Sequence, residues 1–108
     1  MPIYNKLVRD FIPQIIEKSG QSCTTRVLTE EDYIAELNRK MHEELEEYET
    51  SETADDALEE LADLLELIHA ATVFHGFSLA ELEKIQQQKA EKRGGFEERI
   101  LLMDVDDE

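Results

Sequence analysis

One cysteine, Cys23, is the only thiol among 108 residues, so no intramolecular disulfide can staple the fold, and a reduced, cytoplasmic setting is expected. Glycine and proline number only four and two, and tryptophan is absent, which disfavours a low-complexity chain or a turn-rich β-sandwich and leaves regular helix as the expectation. No uninterrupted apolar run approaches the roughly 18 residues that a membrane span needs. The first residues lack both the basic and the long apolar region of a secretory signal. Positive charge is scarce too: 11 Lys and Arg face 27 Asp and Glu, a net charge of −16. Unaided binding to nucleic acid is thereby disfavoured, because affinity for a phosphate backbone comes from Lys and Arg. If this chain handles phosphates, a cation must stand between.

Hydrophobic residues make up 41% of the chain, enough for one core, and the length suits one domain, taken as residues 1–103 with a frayed acidic tail at 104–108. A domain this small hides only roughly 60 to 70% of its unfolded surface, a shortage that oligomerisation relieves. Charge is also laid out unevenly. From Met41 to Glu83 there is no Lys or Arg, while fourteen acids fall in that stretch. Such runs are ordinarily solvated faces, and only periodicity can argue otherwise.

Periodicity does argue otherwise. Pro13, amid Ile12, Ile15 and Ile16, predicts a short helix closing at Gly20. Residues 23–28 read as an extended connector. Thr29 with Asp32, Thr53 with Asp56, and Ser78 with Glu81 read as three helix-starting capping boxes. The expected helices run from about 30 to 50, from 54 to 75 ahead of Gly76, and from Leu79 to Gly94, leaving FEERILLM as an extended segment that docks on the bundle. The first long helix has an apolar stripe of Leu37, Met41, Leu45 and Tyr48, with Glu44 inside it and Glu47 at its edge. The next has two stripes. Leu58, Leu61, Leu65 and Ile68 form one, while Glu60, Asp63, Leu67, Ala70 and Phe74 form the other, so that two carboxylates continue an apolar line.

A link at residues 51–53 forces these helices to lie antiparallel, and the two acid pairs then mirror one another about the Thr53–Ala54 bond. The expected fold is an all-α helical bundle built on this hairpin. Its central helix, apolar on two faces, implies completion by a homodimer or higher homo-oligomer. Four carboxylates at one height in a core cannot all stay ionised without a counter-charge, since each unpaired buried charge costs several kcal/mol. An all-oxygen donor set without His or Cys suits a hard divalent ion, Mg²⁺ first and Mn²⁺ as the alternative.

These residues resemble a known group, the all-α nucleoside triphosphate pyrophosphohydrolases that include MazG and phosphoribosyl-ATP pyrophosphohydrolase. The group's EExxE and ExxD signature is matched by Glu43-Glu44-Leu45-Glu46-Glu47 and Glu60-Leu61-Ala62-Asp63. The flanks YNKLVRDFIP and KAEKRGGFEERI are similar to the KLVRDKIP and RGGF segments of its MazG-like, phosphoribosyl-ATP pyrophosphohydrolase-like subgroup. The resemblance implies Glu44, Glu47, Glu60 and Asp63 as Mg²⁺ ligands, with Glu43 a supporting or water-activating acid. It implies hydrolysis of a nucleotide at the α-phosphate to the monophosphate and pyrophosphate. Lys6 and Arg9, by resemblance, and Lys89 and Arg93, which continue the Leu82 and Ile85 face, are candidates for the outer phosphates; their bland alternative is a solvated surface. Leu67 stands where phosphoribosyl-ATP pyrophosphohydrolases tend to carry His, which turns the expectation away from the histidine pathway.

Two other readings compete. Glu66 and His69 have the ExxH spacing of di-iron bundles, but they lie on a different face from Glu60 and Asp63 and mirror onto Arg39 and Lys40, which are not ligands. His42 and His75 have no ligand-spaced partner, Cys23 has no His to activate it, and Tyr48 and Phe74 read as core. The alternative from another class is a non-catalytic acidic module that binds a metal or a basic partner. Such a face would turn its acids outward.

Overall fold

The computed structural model describes residues 5–106 and is all-helical: α1 (Ile12–Lys18), α2 (Glu30–Thr50), α3 (Ala54–Phe74) and α4 (Leu79–Arg93). The start of the YNKLVRDFIP segment, Tyr4, and the last two tail residues lie outside the described residues.

Local chemistry sets the boundaries. Thr29 and Thr53 each accept a hydrogen bond from the backbone N–H three residues on, that of Asp32 and of Asp56. The reciprocal bond, in which the third residue's carboxylate accepts from the cap's own N–H, forms only at Ser78–Glu81. Glu is one methylene longer than Asp, so two of the three expected boxes are half-boxes. α3 closes at Gly76, whose φ of +88° turns the chain while Gly76 and Phe77 donate to the carbonyls of Val73 and Thr72.

α2 and α3 form an antiparallel hairpin, and α4 packs back against α3. The turn at residues 51–53 is the expected one. It centres on Glu52, between Thr50 and Ala54, slightly earlier than the mirror of the acid pairs. This offset brings Glu44 level with Glu60 and leaves Asp63 about a turn further from the tip, near Met41.

The face of α3 that meets α2 is the one bearing Glu60, Asp63, Leu67, Ala70 and Phe74, all half-buried. Tyr33 and Phe74 meet edge to face at 5.9 Å and close the far end of the hairpin. Leu37 is the one fully buried apolar side chain among the described residues. On α2 the buried line runs through Leu37 and Glu44, while Leu45 and Tyr48 turn partly outward. The second α3 stripe is uncovered in a single chain: Leu58, Leu61 and Leu65 are 67%, 42% and 51% exposed. The segment after Gly94 does not dock either. It makes a turn at Glu97 and Glu98, and Phe96, Ile100, Leu101 and Met103 are almost fully exposed. Among the described residues no helix is long and apolar enough to cross a membrane.

A candidate metal centre on the helical hairpin

The site begins with one unusual burial. Glu44 is only 8% exposed, the sole buried charged residue among those described, because it occupies a position on α2 that faces α3 rather than solvent. Glu60 comes toward it from α3 and Glu47 lies one turn along α2, so that each of the three offers a carboxylate oxygen within 4.8 Å of the others. Glu60 is half-buried and Glu47 exposed, so the cluster opens to solvent on one side. The Oε2 atoms of Glu44 and Glu60 are both buried without a hydrogen-bond partner. Buried acceptors of this kind are costly and call for something positive beside them.

The electrostatics carry the same strain. Burial pushes the Glu44 carboxyl up to about 7, helped by proton sharing with Glu60 and Glu47 and by the negative charges of Glu47 and Asp63. For Glu60, the contact with Glu44 pulls downward, but proton sharing with Glu47, burial and the charges of Glu47 and Asp63 outweigh it and hold the carboxyl above its ordinary range. Without a counter-charge the centre therefore takes up a proton in place of one.

Two cations come to the rim of this cluster from the N-terminal segment. Lys6 Nζ donates to Glu43 Oε1 at 3.0 Å, and Arg9 donates to Asp63 Oδ1 at 2.7 Å. The bond with Lys6 holds the Glu43 carboxyl below its ordinary value and, in turn, raises Lys6. Of the five acids expected at the site, three thus converge on one point, while Glu43 and Asp63 flank it in ion pairs. Asp63 bonds Arg9, consistent with the turn offset that sets it away from Glu44. Lys89 and Arg93 are exposed on α4 and make no hydrogen bond or ion pair among the described residues.

The donor set passes a test of chemistry. Three carboxylates with two unpartnered oxygens, and no nitrogen or sulfur donor, fit a small hard divalent cation that keeps some of its waters. Glu44, Glu47 and Glu60 would hold it, with Asp63 available if Arg9 lets go.

A second concavity, about 350 Å³, lies at the other end of the hairpin between Tyr33, Glu66, His69, Ala70, Val73, Phe74 and Leu79. Phe74, which the sequence marks as core, and His69, which has no ligand-spaced partner across the hairpin, both line it. The available signal was Tyr33, four residues before Leu37 on the buried line. Comparison of the chain with protein-family models, curated proteins and solved structures returns no match.

Proposed function

We propose that the chain is a Mg²⁺-dependent nucleotide pyrophosphohydrolase, cleaving a nucleoside triphosphate or related nucleotide to the monophosphate and pyrophosphate. In this reading it works in the cytoplasm as a homodimer or higher homo-oligomer. The observation that carries it is the pair of buried, unpartnered oxygens on Glu44 and Glu60, facing one another across α2 and α3 with Glu47 beside them. The resemblance of EExxE, ExxD and both flanks to the MazG-like group supports the reaction class. A bound divalent ion, Mg²⁺ or in its place Mn²⁺, would neutralise phosphate oxygens and acidify water at the site.

The chain's own groups divide the remaining work. Glu44, Glu47 and Glu60 supply the negative oxygens that hold the ion. Glu43 is kept ionised by Lys6 but is weakened as a base by the same pairing, so it becomes suited to accept a proton from the attacking water once Lys6 turns to phosphate. Lys6 and Arg9 already lie at the cluster's rim, where a polyphosphate competes with Glu43 and Asp63 for them. When Arg9 turns to phosphate, Asp63 becomes free to join the other three acids. Lys89 and Arg93 remain candidates for the outermost phosphates.

The open acidic cluster also supports a second reading, an acidic module that holds a metal or a basic partner without turnover. Product analysis separates the two. The protein is incubated with Mg²⁺ and a panel of ribo- and deoxyribonucleoside triphosphates, with Glu44→Gln alongside. Monophosphate plus pyrophosphate, lost in the variant, is the expected result. Diphosphate plus orthophosphate would mean that another bond is attacked and would overturn the proposal. Turnover unchanged by Glu44→Gln would sink the site assignment.

A further inference from the structure

Glu66 and His69 have no part in the chemistry of the acid cluster, yet they are neighbours one helical turn apart on α3, and both line the concavity of about 350 Å³ at the far end of the hairpin. The remaining wall is apolar and aromatic, with Tyr33 and Phe74 meeting edge to face at 5.9 Å and Ala70 beside them. A small apolar cleft with one or two placed polar groups is the usual form of a small-molecule site.

This cleft lies on the open side of the acid cluster. Glu47 is turned about 60° from Glu44 around α2, and Asp63 about 60° in the same sense from Glu60 around α3. In antiparallel helices both rotations lead to one flank, the one that Lys6 and Arg9 reach. Phe74, Ala70 and Glu66 are turned about 40°, 80° and 120° from Glu60 in that same sense, and Tyr33 comes to the same flank from α2. The other concavity, among Asn38, Met41, His42, Leu45 and Leu64, opens on the opposite flank. Along α3, Glu66 is about 9 Å and Ala70 about 15 Å beyond Glu60, a run that a ribose and a base can bridge from a phosphate held at the cluster.

We propose that the cleft between Tyr33, Phe74, Glu66 and His69 holds the base of the nucleotide and that Glu66 selects guanine. The proposal rests on the nucleotide hydrolase reading for its substrate and goes beyond it in naming the base. A carboxylate only accepts hydrogen bonds, and its two oxygens suit two adjacent donors. Guanine offers such a pair, N1–H beside the 2-amino group. Adenine and cytosine set a ring acceptor beside their amino group, and uracil and thymine set a single N–H between two carbonyls, so each of these bases turns a lone pair toward the carboxylate. His69, one turn on, can donate a ring N–H to the guanine O6. Tyr33 and Phe74 supply aromatic surface for the base's face. Glu66 also sets the direction of binding: it repels phosphate, which leaves the phosphates at the end that carries Lys6 and Arg9.

Two readouts on the full chain and on Glu66→Gln, an isosteric change at an exposed position, test the assignment. Calorimetry in Mg²⁺ measures the affinities of guanosine, inosine and adenosine monophosphates, and steady-state assays measure kcat/KM for the corresponding triphosphates. Guanine is expected to be preferred about tenfold over hypoxanthine, which lacks the 2-amino group, and about a hundredfold over adenine. Glu66→Gln, which puts a donor where one acceptor stood, should bring guanine to within about threefold of hypoxanthine. No guanine preference in either readout, another base ranked first, or a preference that survives Glu66→Gln would overturn the proposal. Cleavage of all the triphosphates alike, to monophosphate and pyrophosphate, would overturn guanine selection and leave the hydrolase reading standing. A guanine preference in binding that is lost in Glu66→Gln, with no triphosphate cleaved, would support the cleft and sink the hydrolase reading.

Discussion

Glu44 concentrates the chemistry of the molecule in one side chain. Its carboxyl titrates near 7 in the fold, above the ordinary value of 4.5, so the folded state binds that proton more tightly than the unfolded chain. The stabilisation from this proton is fully present below the ordinary value and is lost as pH rises through 7. The Glu43–Lys6 pair works in the opposite direction, adding stability above the carboxylate range, but it is exposed and weak. The chelator-treated protein should therefore melt at a lower temperature at pH 8 than at pH 5, and Mg²⁺ should restore more at pH 8 than at pH 5. A melting temperature that rises between those two values in the chelated protein would contradict the burial of Glu44. Glu44→Gln keeps the shape and removes the charge. In chelator at pH 8 it should stabilise the fold by about 1 to 3 kcal/mol, measured by urea titration, while lowering turnover by on the order of 10²-fold or more. Glu46→Gln, on an exposed position, should change stability by no more than about 0.5 kcal/mol and leave turnover unaltered.

At the scale of elements, the helices are set by short signals that a sequence carries openly. Thr29, Thr53 and Ser78 start α2, α3 and α4, and each cap forms its side-chain bond to the backbone. Loss of one such bond costs about 1 kcal/mol, so Ser78→Ala should lower the urea midpoint accordingly, and more than Thr53→Ala does, because only Ser78 closes a full box. The hairpin and the convergence of Glu44, Glu47 and Glu60 were legible for the same reason: helical period and a three-residue turn depend on neighbours in sequence. The position of Asp63 was not. Its partner Arg9 is 54 residues away, and the offset of the turn toward Glu52 is smaller than the precision with which helix ends can be read from caps. Nor was the partial exposure of Leu45 and Tyr48 legible, since an apolar stripe shows that a face prefers burial without showing which element covers it.

The described part of the molecule is two long helices with only α4 packed against them, and a fold this open is expected to gain stability from association. A chain in which Leu37 is the one fully buried apolar residue among those described has a meagre core of its own. Its melting temperature should rise with protein concentration, by several degrees over a hundredfold range, as mass action favours the associated form. A concentration-independent melt would show that the hairpin stands alone. The exposure of Leu58, Leu61 and Leu65 is legible in the sequence only as a second apolar stripe on α3, since a stripe does not say whether anything covers it. The undocked segment after Gly94 did not announce itself, because FEERILLM has the same composition whether or not a surface receives it.

The N-terminal segment has one further property. Lys6 grips α2 through Glu43 and Arg9 grips α3 through Asp63, so a few residues tie the two helices together from outside, with α1 packing on neither. This cross-tie is held by partly exposed charges, and its strength is set by the medium: at 1 M salt, where the screening length shrinks to about 3 Å, both grips slacken while the apolar seam between the helices tightens. NMR order parameters of the backbone at residues 5–11 should fall as salt rises while amide exchange in the middle of α2 and α3 holds steady or slows, which makes the strap and the hairpin separable by ionic strength alone.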